Sequence, residues 1–152
     1  MTFFHTSLNS PFGPLSLFEE GGALIVLEWG RPPNVNSSPL LERATRQLTE
    51  YFDGSRHTFD LPLRPAGTPF QHRVWAAMQT IPFGQTETYG ALAIITGGGP
   101  RAVGMACGAN PIPILIPCHR VVGAGGKMTG YSGGHGIETK HQLLQLEGAR
   151  LI

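Results

Sequence analysis

Three consecutive residues in the second half of the chain, Cys118, His119 and Arg120, place a thiol beside an imidazole and a guanidinium. The thiolate form of cysteine is a strong nucleophile, and cationic or hydrogen-bonding neighbours raise the fraction of it that is present. Pro117 precedes the trio, and the glycine-rich segment Gly123 to Gly126 follows it. The cluster is therefore the best candidate for covalent chemistry, with Cys118 as the nucleophile.

The geometry around Cys118 depends on the apolar run at 112–116, which predicts an extended segment. Successive side chains of extended backbone point to opposite sides, so we expect Cys118 and His119 to interact through a bridging water unless the backbone turns sharply between them. The imidazole then needs a carboxylate that orients it. Three carboxylates follow residue 65 in the sequence: Glu87, Glu138 and Glu147. We select Glu147, which lies at the end of the last predicted helix.

The second cysteine, Cys107, could form one disulfide with Cys118, but free thiols are favoured in a reducing compartment. An intracellular location is expected because no apolar run reaches membrane-spanning length and the first residues lack a secretory signal. The cysteine spacing matches no zinc module, so no metal site is predicted.

Charge is divided unevenly along the chain, although the formal net charge is only +1. Five basic and seven acidic residues occur up to Arg64, whereas six basic and three acidic residues follow it. The basic second part is compatible with a polyanionic partner, and an ordinary solvated surface explains the charge equally well. At 152 residues with 41% apolar composition, the chain can bury one core or two small ones.

The first third of the chain predicts a small antiparallel sheet covered by a helix. The predicted strands are separated by turn signals and span Thr2 to Leu8, Pro14 to Phe18 and Ala23 to Trp29. Ser38 as N-cap and Pro39 at the first helical position begin a helix that ends at Gly54. Its apolar face should cover the sheet, and the irregular segment after it predicts a domain boundary near residue 65.

The second part predicts a mainly helical domain. Thr68 to Gln71 fits a capping box with proline at the first helical position. Thr88 can cap a short helix from Tyr89 to Ile95, and Pro100 begins another that runs to about Gly108. Two short helices around a glycine turn suggest a helix-turn-helix, and a last helix is predicted from Ile137 to Glu147.

Several ordered motifs in this part resemble one known family. Asn110 to Val122 reads Asn-Pro-Ile-Pro-Ile-Leu-Ile-Pro-Cys-His-Arg-Val-Val, with Arg-Ala-Val-Gly from Arg101 before it and Gly-Tyr-Ser-Gly-Gly from Gly130 after it. Together with Glu147-Gly148, these motifs closely resemble the O6-alkylguanine-DNA alkyltransferase family. The resemblance is dense over residues 68 to 148, and the N-terminal motif from Ser10 to Leu15 also fits.

The resemblance implies an α+β fold with two domains. Residues 1–65 would form an N-terminal domain with a small antiparallel sheet and a helix, ribonuclease H-like in the family. Residues 66–152 would form a mainly helical, winged-helix-like or helix-turn-helix domain that binds DNA and carries the acceptor. Such a protein acts as a monomer in the cytoplasm, or in the nucleus of a eukaryote, with no cofactor and no membrane partner.

The implied activity is suicide DNA repair. The partner is double-stranded DNA that contains O6-alkylguanine, and O4-alkylthymine is a further implied substrate. The protein rotates the damaged base out of the duplex and transfers the alkyl group to Cys118, which inactivates the protein because the thioether has no route back to thiolate. The position that matches His119 activates the thiol through a water, and the one that matches Glu147 orients the imidazole.

The same resemblance assigns roles in holding the base and the DNA. Asn110 holds the active-site turn, and Tyr89 hydrogen-bonds guanine N3 and assists its departure. Arg101 fills the space that the flipped base leaves. The remaining assignments concern the pocket, where the carbonyls of Cys118 and Val121 read the exocyclic amine and two residues form the lip: Tyr131 and Ser132.

Simple arithmetic indicates where the rate acceleration originates. A thiol with a pKa of about 8.5 is only ~3% thiolate at pH 7. Lowering that pKa by about two units raises the thiolate fraction ~25-fold but reduces its intrinsic nucleophilicity ~8-fold. Most of the acceleration is therefore expected from holding the alkyl carbon in line with sulfur and from making guanine a better leaving group.

Some positions depart from the family pattern. The spacing from Tyr89 to Arg101 is shorter than usual, Cys107 and Gly108 occupy helix positions that often carry larger or polar residues, and His135 replaces an apolar residue. The zinc ligands of some relatives have no counterpart, and Cys107 is not predicted to be the acceptor. Two alternatives are a lesion sensor that binds alkylated DNA without repairing it, and a thiol hydrolase that uses Cys118 and His119.

Overall fold

The structure, a computed structural model, describes residues 3–131 and 133–149. The chain divides into two compact units, with the division between Ala66 and Gly67. The secondary structure confirms the α+β fold class, with a three-stranded antiparallel sheet in the first unit and most of the helices in the second. None of the described helices combines the length and apolar character needed to cross a membrane.

The N-terminal sheet forms as the turn signals predict. Its strands are β1 (Phe3–Leu8), β2 (Leu15–Glu20) and β3 (Ala23–Trp29), and they pair antiparallel in sequence order. The β1–β2 turn is closed by the Ser10 hydroxyl, which donates to the Gly13 carbonyl at 2.6 Å. β2 begins one residue later and ends two residues later than the pattern indicated, because its pairing with β3 continues to Glu20 through a bulge after Phe18.

Helix α1 (Pro39–Phe52) covers this sheet. Its N-cap Ser38 accepts a hydrogen bond from the Leu41 amide, and Pro39 occupies the first helical turn. Its apolar stripe is completely buried: Leu41, Ala44, Leu48 and Tyr51. The helix packs on β1 and β2, as its amphipathic pattern predicts.

Three helices of the second unit pack on one another: α2 (Pro69–Met78), α3 (Tyr89–Thr96) and α4 (Pro100–Gly108). The capping box at the start of α2 is present, with the Thr68 side chain and the Gln71 side chain each accepting the other residue's backbone N–H. The Trp75 indole donates to the Ala106 carbonyl at 2.8 Å and thereby ties α2 to α4. This tie fixes the helix that carries Arg101 relative to the core of the unit.

The short α3–α4 connection contains three glycines. Gly97 has φ 86° and ends α3 in a left-handed conformation, which glycine adopts without strain. Gly98 approaches Phe70 of α2 so closely that an added Cβ would lie 2.5 Å from the ring. The turn between α3 and α4 can therefore be short because residue 98 has no side chain that would collide with Phe70.

Two features of the second unit were not predicted from the sequence. Strand β4 (Glu87–Thr88) pairs in parallel with β5 (Val121–Val122), and both are too short to show a sequence period. The second feature is the 3₁₀ turn Cys118–Arg120, which lies directly before β5. The predicted last helix is present as α5 (Ile137–Leu146), after the glycine-rich loop. The β4–β5 pair brings the start of α3 next to the segment that carries Cys118.

The prediction of an extended segment at 112–116 is wrong. The Ile116 amide donates to the Ile112 carbonyl at 2.9 Å, and Ile114 has φ 74°, so the run folds into a tight turn. The Asn110 side chain stabilises this turn from inside, because its Nδ2 donates to the Ile116 carbonyl at 2.8 Å and its Oδ1 accepts from the Ile112 amide at 2.9 Å. Burial of the apolar side chains thus occurs in a turn rather than in a strand.

Candidate active site

Cys118 lies at the start of the 3₁₀ turn and faces a cavity of about 350 Å³. The cavity is also lined by Tyr89, Cys107 and Tyr131, and by glycines of α4 and of the loop: Gly104, Gly108 and Gly130. Such a volume falls at the lower end of small-molecule sites, which span ~300–1,000 Å³. The candidate nucleophile therefore lies at the wall of a pocket that can receive a compact planar group.

His119 and Glu147 form the hydrogen bond predicted for an oriented imidazole. His119 Nε2 and Glu147 Oε2 are 2.8 Å apart, and both side chains are completely buried. A carboxylate can only accept, so the neutral imidazole carries its proton on Nε2 and leaves Nδ1 as the basic nitrogen. Nδ1 is buried and accepts no hydrogen bond from the described residues.

Arg120 does not serve the thiol as the cationic neighbour that its position in the sequence indicated. Its Nε and Nη2 donate to the two oxygens of Glu147, each at 2.9 Å, and its Nη1 donates to the Ile81 carbonyl at 2.7 Å. This bidentate geometry holds the carboxylate in one orientation. Arg120 is thus a support for the His119–Glu147 pair, and it joins the 3₁₀ turn to the end of α5.

The protonation states follow from this burial. Burial raises the pKa of the Cys118 thiol, while a hydrogen bond from Asn110 and the charge of Lys140 act in the opposite direction. Burial also lowers the pKa of His119, although Glu147 partly offsets this effect. At neutral pH the site therefore holds a thiol and a neutral imidazole.

Lys140, a residue that the sequence reasoning passed over, is buried in the same region. Its Nζ donates to the Val121 carbonyl at 2.6 Å and lies 5.8 Å from the centre of the Tyr89 ring. Burial lowers its pKa. A sequence signal was available, because Lys140 and Leu144 lie one turn apart on the buried face of α5 and Glu147 follows at helical spacing as its C-cap.

Tyr89 is the first residue of α3, whose N-cap is the Thr88 hydroxyl. Its phenol oxygen accepts a hydrogen bond from Thr129 Oγ1 at 2.9 Å. Burial raises its pKa, and the Thr129 bond acts in the opposite direction. The phenol remains protonated at neutral pH and can donate.

The structure places the other predicted residues as follows. Arg101 is exposed in the first turn of α4. The Val121 carbonyl already accepts from Lys140, and one lone pair of that oxygen remains. Tyr131 lines the cavity, whereas Ser132 lies outside the described residues.

Cys107 shares the cavity but has a different environment. Its Sγ donates to the Met78 sulfur at 3.6 Å, and burial raises its pKa to about 12. Both cysteines are free thiols. In the described part of the chain no three histidine, cysteine or acidic side chains come close enough to hold a metal ion.

Comparison with known proteins decides the family. Residues 69–149 match the family model of the 6-O-methylguanine DNA methyltransferase DNA binding domain, and residues 3–65 match that of its ribonuclease-like domain. The chain belongs to the O6-methylguanine DNA methyltransferase family. The resemblance inferred from the sequence motifs is thereby confirmed.

Two relatives in this family match over nearly their full length. The chain is 44% identical to the methylated-DNA–protein-cysteine methyltransferase of Mycobacterium tuberculosis, over 96% of this chain and 93% of that protein. It is 42% identical to that of Methanosarcina acetivorans, over 96% and 99% respectively. The crystal structure of M. tuberculosis OGT in complex with DNA superposes with a TM-score of 0.84 at 44% identity, and covers 95% of this chain and 92% of that one.

Proposed function

We propose that this protein repairs DNA as a methylated-DNA–protein-cysteine methyltransferase, with Cys118 as the acceptor. It transfers the methyl or other alkyl group of O6-alkylguanine, and of O4-alkylthymine, to its own cysteine. The observation that carries the proposal is the placement of Cys118 at a cavity wall, followed in sequence by a histidine held by a buried Glu147. The membership of the family and the match to a DNA-bound relative support the same reaction.

The transfer is a displacement at the alkyl carbon. The thiol proton passes through a water to His119 Nδ1, the sulfur–carbon bond forms, and the bond from carbon to guanine O6 breaks. The electron pair of that bond stays on the base, and the Tyr89 hydroxyl donates to N3 as negative charge develops there. The base leaves as an anion and becomes a normal guanine when it takes up a proton at N1, which balances the proton that the thiol loses to His119. The protein product is a thioether, and no group among the described residues of the site can regenerate the thiol.

The buried network supports a reaction that begins from a protonated thiol and a neutral imidazole. His119 is neutral at pH 7 because burial lowers its pKa, so it is competent as a base. Glu147 stabilises the imidazolium that forms, and Arg120 holds the carboxylate in place. We infer that Asn110 keeps the 3₁₀ turn in register, since its side chain spans the preceding turn with both its donor and its acceptor.

DNA binding is proposed for α4 and the cavity mouth. Extruding a base costs a few kcal/mol, and a side chain that occupies the vacated stack offsets part of that cost. Arg101 suits this role because it is exposed at the first turn of α4. The carbonyls of Cys118 and Val121 would accept hydrogen bonds from the exocyclic amine of the base. The lip of the pocket would be formed by Tyr131 and Ser132.

We further infer that the protein acts as a monomer, because all the described active-site side chains come from one unit of one chain. Its place of action is the compartment that holds DNA, which is the cytoplasm of a cell without a nucleus. Gel filtration of the free protein and of its complex with a short duplex tests the monomeric state.

The experiment that tests the function measures the damaged base itself. A duplex with one O6-methylguanine is incubated with increasing protein, and the remaining damaged base is quantified by chromatography after hydrolysis. One equivalent of protein should remove one equivalent of damage, and a Cys118→Ser variant should remove none. Binding without loss of the damage would instead support a lesion sensor, and loss beyond one equivalent would exclude a single-use acceptor. Hydrolysis of a thiol-sensitive ester with many turnovers would support the hydrolase.

A further inference from the structure

Thr129 makes one contact in the cavity region that has no role in the displacement at the alkyl carbon as proposed. It lies in the glycine-rich loop between β5 and α5, and its Oγ1 donates to the phenol oxygen of Tyr89 at 2.9 Å. Among the described residues, Tyr89 is the hydrogen-bond partner of the Thr129 hydroxyl. Tyr89 lines the same cavity as Cys118.

Each of these hydroxyls can donate or accept, so the direction of the bond depends on which other group the phenol meets. A phenol has one proton and two acceptor lone pairs. When Thr129 donates to the oxygen of Tyr89, the phenol proton is left for a second acceptor. The acceptor that enters the cavity in the proposed reaction is the ring nitrogen of the departing guanine.

We propose that Thr129 is a positioning residue for the alkyl transfer, because it directs the Tyr89 hydroxyl proton toward the base that leaves. This inference rests on the proposed function. Hydrogen bonds in a chain polarise one another, so a donor on the phenol oxygen also makes the phenol a better donor. Both effects act on the leaving group and neither acts on the thiol.

Among the contacts described for Tyr89, the one with Thr129 is made by its hydroxyl. Tyr89 is the first residue of α3, whose backbone the Thr88 cap holds, and Lys140 Nζ lies 5.8 Å from the centre of the Tyr89 ring. These contacts involve the backbone and the ring, whereas the contact with Thr129 is made at the hydroxyl. The loop that presents Thr129 is itself closed by the Gly123 amide, which donates to the Lys127 carbonyl at 2.7 Å.

The effects of the hydroxyl and of the methyl group of Thr129 can be tested separately by mutation. Its methyl group approaches Gly123, where an added Cβ would lie 3.2 Å from Thr129 Cγ2, and its hydroxyl faces Tyr89. Thr129→Val keeps the branched shape and removes the hydroxyl. Thr129→Ser keeps the hydroxyl and removes the methyl. If Thr129 acts through packing, the serine variant should transfer the alkyl group more slowly. If Thr129 positions the Tyr89 hydroxyl, the valine variant should be the slower one.

The kinetic test uses the full chain and a duplex with one O6-methylguanine. Single-turnover rate constants at saturating protein and dissociation constants for the duplex are measured for both variants. We expect Thr129→Val to lower the rate constant about tenfold with an unchanged dissociation constant, since the lost bond is an ordinary hydroxyl hydrogen bond. Thr129→Ser should stay within about twofold of the wild-type rate.

A double-mutant cycle with Tyr89→Phe identifies the partner. In the phenylalanine background Thr129→Val should have no further effect, because there is no hydroxyl left to orient. An undiminished effect in that background, or a valine variant as fast as wild type, would overturn the inference. An effect of Thr129→Val on DNA affinity alone would do the same.

A second readout is independent of alkyl transfer. The chain has 3 tyrosines, and ultraviolet titration of each variant against its Tyr89→Phe counterpart isolates the signal of Tyr89. Loss of the donated hydrogen bond should raise the pKa of Tyr89 in the valine variant and not in the serine variant. If wild type transfers no alkyl group, the proposed function fails, and this titration still decides whether Thr129 acts on Tyr89. An unchanged titration in the valine variant would overturn the inference.

Discussion

Glu147 is the residue on which the buried part of the active site depends. One carboxylate accepts from His119 and, at both oxygens, from Arg120, while the Gly84 amide also donates to it at 3.3 Å. Removing one partner of a buried ion pair leaves an uncompensated charge. The same residue therefore binds the His119 imidazole and keeps Arg120 in the core, and these two contacts cannot be separated by deletion.

The pH dependence of the transfer follows from His119. Because burial lowers its pKa below the usual 6.5, the imidazole stays neutral and basic in mildly acidic solution. The single-turnover rate constant should therefore change by less than about twofold between pH 8 and pH 6, whereas an ordinary histidine would lose most of its basic form in that range.

The control for this measurement is DNA binding at each pH, so that only the chemical step is compared. A steep fall of the rate constant between pH 7.5 and pH 6 at saturated binding would contradict a lowered pKa for His119. A steep rise between pH 7 and pH 8 would instead indicate that the reaction depends on pre-formed thiolate.

At the scale of elements, the active site is positioned by short segments rather than by long helices. The 3₁₀ turn that carries Cys118 is held by the Asn110 amide on one side and by α5 on the other. The β4–β5 pair places Thr88, and with it the start of α3, beside Val122. These segments explain why Tyr89 and Cys118, far apart in sequence, line one cavity.

Sequence patterns predicted the elements with caps and periodicity and missed those that depend on tertiary contacts. Ser38, Thr68 and Thr88 are N-caps as predicted, because capping is a local interaction. The composition of the run at 112–116 predicts an extended segment, but the Asn110 side chain and burial override that preference. The partners of Arg120 could not be inferred, since they depend on where α5 packs.

The glycine turn between α3 and α4 gives a paired prediction. Gly98→Ser should destabilise the protein by about 1–3 kcal/mol, because the new Cβ meets the Phe70 ring. Gly99→Ser should stabilise it by a few tenths of a kcal/mol, because Gly99 is the N-cap of α4, has no close neighbour and lacks a capping side chain. Urea unfolding of both variants measures the difference.

The two variants control for each other, since both add the same atoms to adjacent positions of one turn. Equal stability for the pair would show that Phe70 moves aside without cost and that Gly98 is not what allows the short turn. Destabilisation by Gly99→Ser would contradict the assignment of residue 99 as an N-cap with room for a side chain.

At the scale of the whole molecule, the two units match two family models, and the active-site side chains belong to the second. That unit also carries the excess of basic residues, which suits a phosphate-rich partner. The order of the motifs along the sequence was sufficient to predict the family. The support of the histidine by Arg120 and the contact of Thr129 with Tyr89 became visible only when side chains from distant segments were placed together.

The most direct test of the central claim is to locate the transferred group in the protein. The chain is incubated with a duplex whose O6-methylguanine carries an isotope-labelled methyl group, weighed intact, and then mapped by tandem mass spectrometry of its peptides. We predict one labelled methyl per chain, on Cys118, with Cys107 unmodified because its thiol donates to the Met78 sulfur and no histidine held by a carboxylate follows it directly in the sequence. A label on Cys107 or on another residue, or an unlabelled chain after the damage has been removed, would contradict the account.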